Sequence, residues 1–254
     1  MSAPTRNLLL AGGIHHPLEA SAPSLSDALA TLGIRTDVEE DIEAGCQRLA
    51  AGGYPLLTVS ALRWQMLDAR NDPHRKRWGL ALSEGAREAI RQHLRGGGAL
   101  LAMHTATICF DDWPQWGDIL GARWVWGQSG HAPFGRVDVN FDAAPAGSIA
   151  DALPAFECED EVYEHMWMAP DVRPLAHARN QTTASGSPGG WTPALWTREW
   201  EGGRVVYDAL GHNAKSLDHP VHRRLITRAA AWALARANPA STAQPSPPGG
   251  NPHA

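Results

Sequence analysis

Five apolar residues in a row, Ala99 to Met103 ("ALLAM"), set the strongest constraint on how this chain folds. Gly96, Gly97 and Gly98 precede the run, and the polar pair His104-Thr105 ends it. An apolar run so short, bounded by turn residues on one side and polar ones on the other, reads as a strand. Side chains alternate between the two faces of a strand, so one that is apolar at every position must be covered on both. Strands of that kind belong to parallel sheets sandwiched between helices.

The rest of the chain supplies such a setting. Asn7 to Ala11 ("NLLLA") is another short buried strand, and "GGIHHP" after it leaves the sheet in a turn. From Ser24, the residues Leu25, Ala28, Leu29 and Leu32 recur at helical spacing, with Gly33 placed to end the helix. "IRTDV" resumes extended structure, Ile42 to Leu49 suits a short helix, and "YPLLTVS" at 54–60 is a further strand. The polar stretch Arg63 to Trp78 reads as an irregular surface excursion or lid. Ser83 caps the next helix, with Glu84 in its first turn and Leu82, Ala86, Ile90 and Leu94 along one face. Strands alternating with helices of about ten residues mean βαβ units, hence an α/β fold with a mostly parallel sheet. After Phe110 the stretches "FGRVDVNF", "RPLAHAR", "TPALWTREW" and "GRVVYDAL" alternate like strands and extend the sheet with antiparallel ones. A last helix spans Pro220 to Arg236. Residues 1–237 are expected to form one domain, and residues 238–254, rich in Pro, Gly and Ser, a disordered tail.

Composition removes several classes of function. A net charge of -5 over 254 residues argues against nucleic acid as a partner, because phosphate binding needs a basic face. No apolar run approaches the ~20 residues of a membrane helix, and "MSAPTRNLLLAGG" is no secretory signal, so the expected location is cytoplasmic. Cys46, Cys109 and Cys158 are spaced for neither a disulfide framework nor a zinc ribbon and read as reduced thiols. Seven of the eleven tryptophans cluster at 113–126 and 191–200, where they either fill the core or line a pocket for a sugar-like ligand.

In parallel sheets ligands sit beyond the carboxyl ends of the strands. Histidines follow three of the expected strands there: His15 and His16, His104, and His212. If those strands are parallel, the histidines converge on one edge, where imidazoles serve as proton carriers or metal ligands. His104 occupies the strand-to-helix turn at which hydrolases and glutamine amidotransferases expose a Ser or Cys nucleophile. No G-x-S-x-G or G-x-C-x-G stands there, and Cys109 lies five residues too far along, which rejects cysteine-dependent glutaminase chemistry. His74, His93, His219, His222 and His253 lack this placement and read as surface. In "ECEDEVYEHMW", Glu157 to Trp167, an extended backbone puts Glu161 and Tyr163 on one face and Asp160 and Val162 on the other. The candidate catalytic residues are His104, His212, Glu161 and Asp160. The candidate substrate contacts are His15, His16, Thr105, Trp113, Tyr163 and Trp126. His131, His104 and His212 with a carboxylate suit a divalent metal, Zn²⁺ or Mn²⁺, although no local signature such as H-E-x-x-H is present. No nucleotide cofactor is expected.

At these residues the chain resembles the ThuA-like family, known from trehalose-utilisation proteins. The resemblance rests on "GGGALLAMHTAT", on "DWPQWGDILGARW" with the later His131, on "DEVYEHMW", and on "TPALWTREWEGGRVVYDALGHN". It runs from Asn7 to Ala237. It implies a flavodoxin-like three-layer fold similar to the class I glutamine amidotransferases, with the elbow lacking its catalytic cysteine. It also implies a link to carbohydrate metabolism and, through some relatives, to keto-sugars or glycosides. By position the resemblance carries over His104, His131, Asp160, Glu161, Tyr163 and His212. The expected function is an enzyme, a lyase, isomerase or hydrolase, acting on a sugar, keto-sugar or glycoside through His/carboxylate acid-base chemistry. Its expected partner is that small molecule, with no nucleic acid or membrane, and self-association into a homo-oligomer is left open. The alternative is a non-catalytic sugar-binding or scaffold protein that keeps a degenerate amidotransferase-like site.

Overall fold

Ala99–Met103 is a strand buried at every position in the computed structural model of the chain, which describes residues 4–16, 18–143 and 146–235. The tail expected at 238–254 lies outside the described residues. In chain order the first half runs β1 (Thr5–Gly13), α1 (Leu18–Ala30), β2 (Ile34–Glu39), α2 (Ile42–Ala50), β3 (Leu56–Leu62), α3 (Asp72–Trp78), α4 (Glu84–Arg95), β4 (Ala99–Met103) and α5 (Pro114–Leu120). The second half adds β5 (Ala122–Arg123), β6 (Gly130–His131), β7 (Gly135–Phe141), β8 (Phe156–Asp160), β9 (Tyr163–Glu164) and β10 (Trp167–Met168). It closes with β11 (Pro174–Asn180), β12 (Thr192–Trp200), β13 (Gly203–Asp208), α6 (Ala214–Leu217) and α7 (Pro220–Leu234).

Nine strands form the main sheet in the order β2-β1-β3-β4-β13-β12-β11-β7-β8. The first five are parallel, and the last four are added antiparallel. Helices α1 and α7 pack together over one face and α2 and α4 over the other, which covers the apolar strands on both sides. This is the flavodoxin-like α/β arrangement with antiparallel strands appended. Among the described residues no helix is long and apolar enough to cross a membrane.

The parallel half delivers its carboxyl ends to one edge. Gly13, with φ 137°, ends β1 there, and a Cβ on it would lie 2.3 Å from the carbonyl oxygen of Leu62 in β3. Only glycine lets the two strands close to that distance before the chain turns out to His15 and His16. β8 stands four strands from β13, about 19 Å away in a flat sheet. Yet Asp160, at the end of β8, accepts hydrogen bonds from Gly211 and His212, just past β13. The antiparallel half therefore curls back over the parallel edge. Register breaks in β11 at Pro174/Ala176 and Ala176/His177 bend and twist it in that way. Four antiparallel steps from β13 leave β8 pointing with the parallel strands, so its carboxyl end joins theirs.

Three local expectations are corrected. Helix α1 begins at Leu18 rather than Ser24, because Ser21 and Ala22 are buried beside Leu25 and tertiary packing carries the helix through Pro23. The stretch 63–78 is not irregular throughout: it holds a 3₁₀ turn at Ala69–Asn71, capped by Asp68, and then α3. His222 is not on the surface but fully buried on α7, facing Asp208.

Candidate active site

The turn after β4 presents His104 under strain. His104 has φ 42°, in the left-handed region that side chains disfavour, and it opens the 3₁₀ turn His104–Thr107. Neighbouring elements hold that conformation in place. The Tyr207 hydroxyl donates to the His104 carbonyl at 2.9 Å, Thr105 Oγ1 donates to the Ala61 carbonyl, and Trp116 Nε1 donates to the Ala106 carbonyl at 2.8 Å. His104 Nδ1 lies 2.7 Å from the Ala209 carbonyl. A carbonyl only accepts, so Nδ1 carries the proton and the Nε2 lone pair faces away from it. Burial pushes the His104 pKa down to about 4, against the opposing pull of Asp160, and the ring is neutral at neutral pH.

Three other side chains meet that lone pair. His16 comes from the turn after β1, His212 from the loop after β13, and Glu161 follows β8 directly. One nitrogen or oxygen from each of His16, His104, Glu161 and His212 lies within 4.8 Å of the others. His104 Nε2 is 3.2 Å from His16 Nε2 and 3.2 Å from the Tyr163 hydroxyl. Glu161 Oε2 is 3.2 Å from His212 Nδ1, 3.5 Å from His16 Nε2 and 3.9 Å from His104 Nε2. Burial pushes the Glu161 carboxyl up, but the close imidazoles of His16 and His212, with His131 beyond them, outweigh it and hold it well below the usual range. Burial keeps the Tyr163 phenol far above its ordinary range, so it stays a donor.

Asp160 does a different job from its neighbour. Its Oδ1 accepts from the backbone N–H of Glu161 at 2.8 Å and of His212 at 3.1 Å. Its Oδ2 accepts from the Gly211 N–H at 2.8 Å and from the Ser216 hydroxyl. Three of these four bonds hold the segment that carries His212 and the fourth its own neighbour Glu161, and Gly211, at φ 121°, lets that loop turn. Asp160→Asn replaces an acceptor by a donor facing buried N–H groups. It is expected to cost about 2–3 kcal/mol in denaturant unfolding and to disturb His212 as a consequence.

These side chains floor a cavity of about 440 Å³. The residues that line it include His15, His16, His131, Glu161, Tyr163 and His212, and with them Trp64, Arg70, Asn71, Trp124 and Trp126. His104 is only 1% exposed and lies behind this lining. His131 sits at the rim, with Nδ1 3.7 Å from Glu161 Oε1 and 2.8 Å from the Ala132 carbonyl, outside the four-residue group. His16 and Glu161 stand in that group beside His104 and His212. Thr105 braces the turn from beneath, and Trp113 is buried against Trp116. Neither lines the cavity. Cys109 is buried with its Sγ 2.9 Å from the Ala61 carbonyl, and burial pushes its thiol up to about 12. Trp64, Arg70 and Asn71 escape sequence reasoning because their excursion has no strand or long helix to anchor a reading. The one local sign is Asn71-Asp72-Pro73, a helix start.

The comparisons with known proteins agree with this geometry at the level of the fold. The chain superposes on a ThuA-like protein from Parabacteroides merdae with a TM-score of 0.72 at 18% identity, covering 92% of this chain and 91% of that one. A ThuA-like protein from Bacteroides uniformis gives a TM-score of 0.64 at 18% identity, covering 92% and 93%. A β-galactosidase from Rahnella sp. R3 gives 0.57 at 14% identity, covering 92% of this chain but 32% of that larger one. Among curated proteins no sequence matches. The family model for ThuA, described as trehalose utilisation, matches residues 10–233, a span that includes every residue of the His/Glu cluster. With that span covering most of its length, the chain belongs to the ThuA family.

Proposed function

We propose that the chain is an enzyme acting on a sugar or keto-sugar in the His/Glu cavity, with a divalent cation, Zn²⁺ or Mn²⁺, held by His16, His104, Glu161 and His212. The observation that carries the reading is a pair of buried atoms, Glu161 Oε2 and His212 Nδ1, that face each other at 3.2 Å while neither has a hydrogen-bond partner among the described residues. Ligand atoms behave so when they aim at a shared point rather than at each other. Three imidazoles and one carboxylate are a donor set that these metals accept. Four ligands about 2.0–2.2 Å from one ion in a tetrahedral site lie about 3.3–3.6 Å apart, so the widest pair, within 4.8 Å, closes by about 1 Å when the ion binds.

When bound, the cation polarises a carbonyl or hydroxyl oxygen of the substrate. The remaining work belongs to the side chains. Glu161, with its carboxyl held low, is a good ligand and a poor base. His104, walled off from the cavity, keeps its Nε2 turned to the cluster through the Ala209 bond. His131 and His15 reach the cavity from outside the ligand group, and His131, the nearer to Glu161, is the imidazole proposed to move a proton at the substrate. The indoles of Trp64, Trp124 and Trp126 offer faces for the apolar side of a sugar ring. Free, buried cysteines at 46, 109 and 158 support a cytoplasmic location.

Titrating chelator-stripped protein with Zn²⁺ and Mn²⁺ is expected to show one ion bound per chain. A panel of keto-sugars and glycosides is expected to yield product only with that ion present. Sugar binding without product under every metal would leave the non-catalytic alternative standing.

A further inference from the structure

We propose that Tyr163 couples the two occupants of the His/Glu cluster: its hydroxyl yields His104 Nε2 to the cation and turns to an oxygen of the ligand bound beside it. This rests on the reading of the cluster as a cation site. His104 Nδ1 carries the proton that faces the Ala209 carbonyl at 2.7 Å, so Nε2 has a single lone pair to offer. The Tyr163 hydroxyl stands 3.2 Å from that nitrogen. One lone pair accepts either a hydrogen bond or a bond to an ion, and the two bonds exclude each other. Tyr163 therefore competes with the cation for His104.

The hydroxyl that gives up His104 has no second protein acceptor. Among the described residues its one hydrogen bond is the contact with Nε2. The Tyr163 ring is held in place, 5.2 Å from that of Trp124 at 78° and 4.6 Å from that of His104 at 31°. The O–H still rotates about its own C–O bond. Tyr163 is 1% exposed and yet lines the cavity, so the acceptor it needs comes from what the cavity holds. A buried donor left without an acceptor is costly. A ligand with an oxygen at this place removes that cost, and one without it is rejected. Tyr163 thus acts with opposite signs on the two bindings: it weakens the hold on the cation and strengthens the hold on the ligand. Because such coupling is reciprocal, the cation in turn raises affinity for the ligand by freeing the hydroxyl.

Tyr163→Phe removes the hydroxyl and keeps the ring. Zn²⁺ is titrated into chelator-stripped parent and variant, and acetohydroxamate, a small chelating oxygen ligand, into both zinc-loaded chains. The variant is expected to bind Zn²⁺ about three- to tenfold tighter and acetohydroxamate about tenfold more weakly. A residue that merely supports the fold would weaken both, and that result, or no change in either, would overturn the coupling. ¹³Cζ-tyrosine NMR on the parent reads the hydroxyl without any variant, with three tyrosines to resolve. The Tyr163 signal is expected to move on addition of Zn²⁺ and again on addition of acetohydroxamate, and a signal unmoved by both would also overturn the coupling. Failure of the parent to bind Zn²⁺ would overturn the cation reading beneath it.

Discussion

Glu161→Gln is expected to weaken Zn²⁺ or Mn²⁺ binding at least about 100-fold and to lower turnover in step at sub-saturating metal, with a thermal midpoint close to the parent's. The amide has the same shape but no charge, and it turns an N–H₂ group toward imidazoles whose nitrogens lie within 3.9 Å of the carboxylate. Among the described residues no backbone amide donates to Glu161 Oε2, so the fold has little to lose. The adjacent Asp160→Asn is expected to behave in the opposite manner, with loss of stability first. Two neighbouring carboxylates with opposite phenotypes make a sharp test, read by metal titration and melting curves on both variants. Full metal affinity and turnover in Glu161→Gln would remove it from the site.

Asp208→Ala is expected to be the most destabilising single change, at about 3–5 kcal/mol, or roughly 6–20 °C in thermal midpoint for a chain of this size. Asp208 and His222 are both buried, with Oδ2 and Nε2 3.1 Å apart, and Oδ1 accepts from the Leu210 N–H at 3.0 Å. Removing the carboxylate leaves an imidazole without its counter-charge and an amide without its acceptor. Burial pushes the His222 pKa down, but the charge and hydrogen bond of Asp208, with Asp160 behind, outweigh it and leave the ring raised. The folded chain thus holds this proton more tightly than the unfolded one. Its contribution is complete below about pH 6.5 and fades as pH rises through the folded value. Denaturant unfolding of the parent and of His222→Gln should therefore converge as pH is raised from about 6 to about 9. A gap that stays constant across that range would show that His222 is held neutral. Ser216 and His222, with Asp208, have the residue types of a hydrolytic triad, but none is more than 1% exposed, and they brace the His212 loop instead.

Much of this was legible in the order of residues. "ALLAM" had to be a strand covered on both faces, because no position in it tolerates water. Histidines directly after apolar strands had to share an edge once the strands were parallel. The alternation that separates Asp160 from Glu161 and Tyr163 follows from the two-residue period of a strand, and it divides anchor from site here. These conclusions depend on spacing along a single segment, which local sterics and burial dictate.

What the tertiary structure alone decided is which segments meet. β13 inserts between β4 and β12, and the bulged antiparallel half curls until the end of β8 touches the loop after β13. That curl brings Glu161 to the histidines and completes the four-residue group, with His104 buried against it. Packing also sets Trp64, Arg70 and Asn71 of the excursion at 63–78 into the cavity wall and makes His222 a buried ion-pair partner. Periodicity records how a residue sits on its own element. Sheet coiling and loop reach, which place one element against another, are set by the packing of the whole chain.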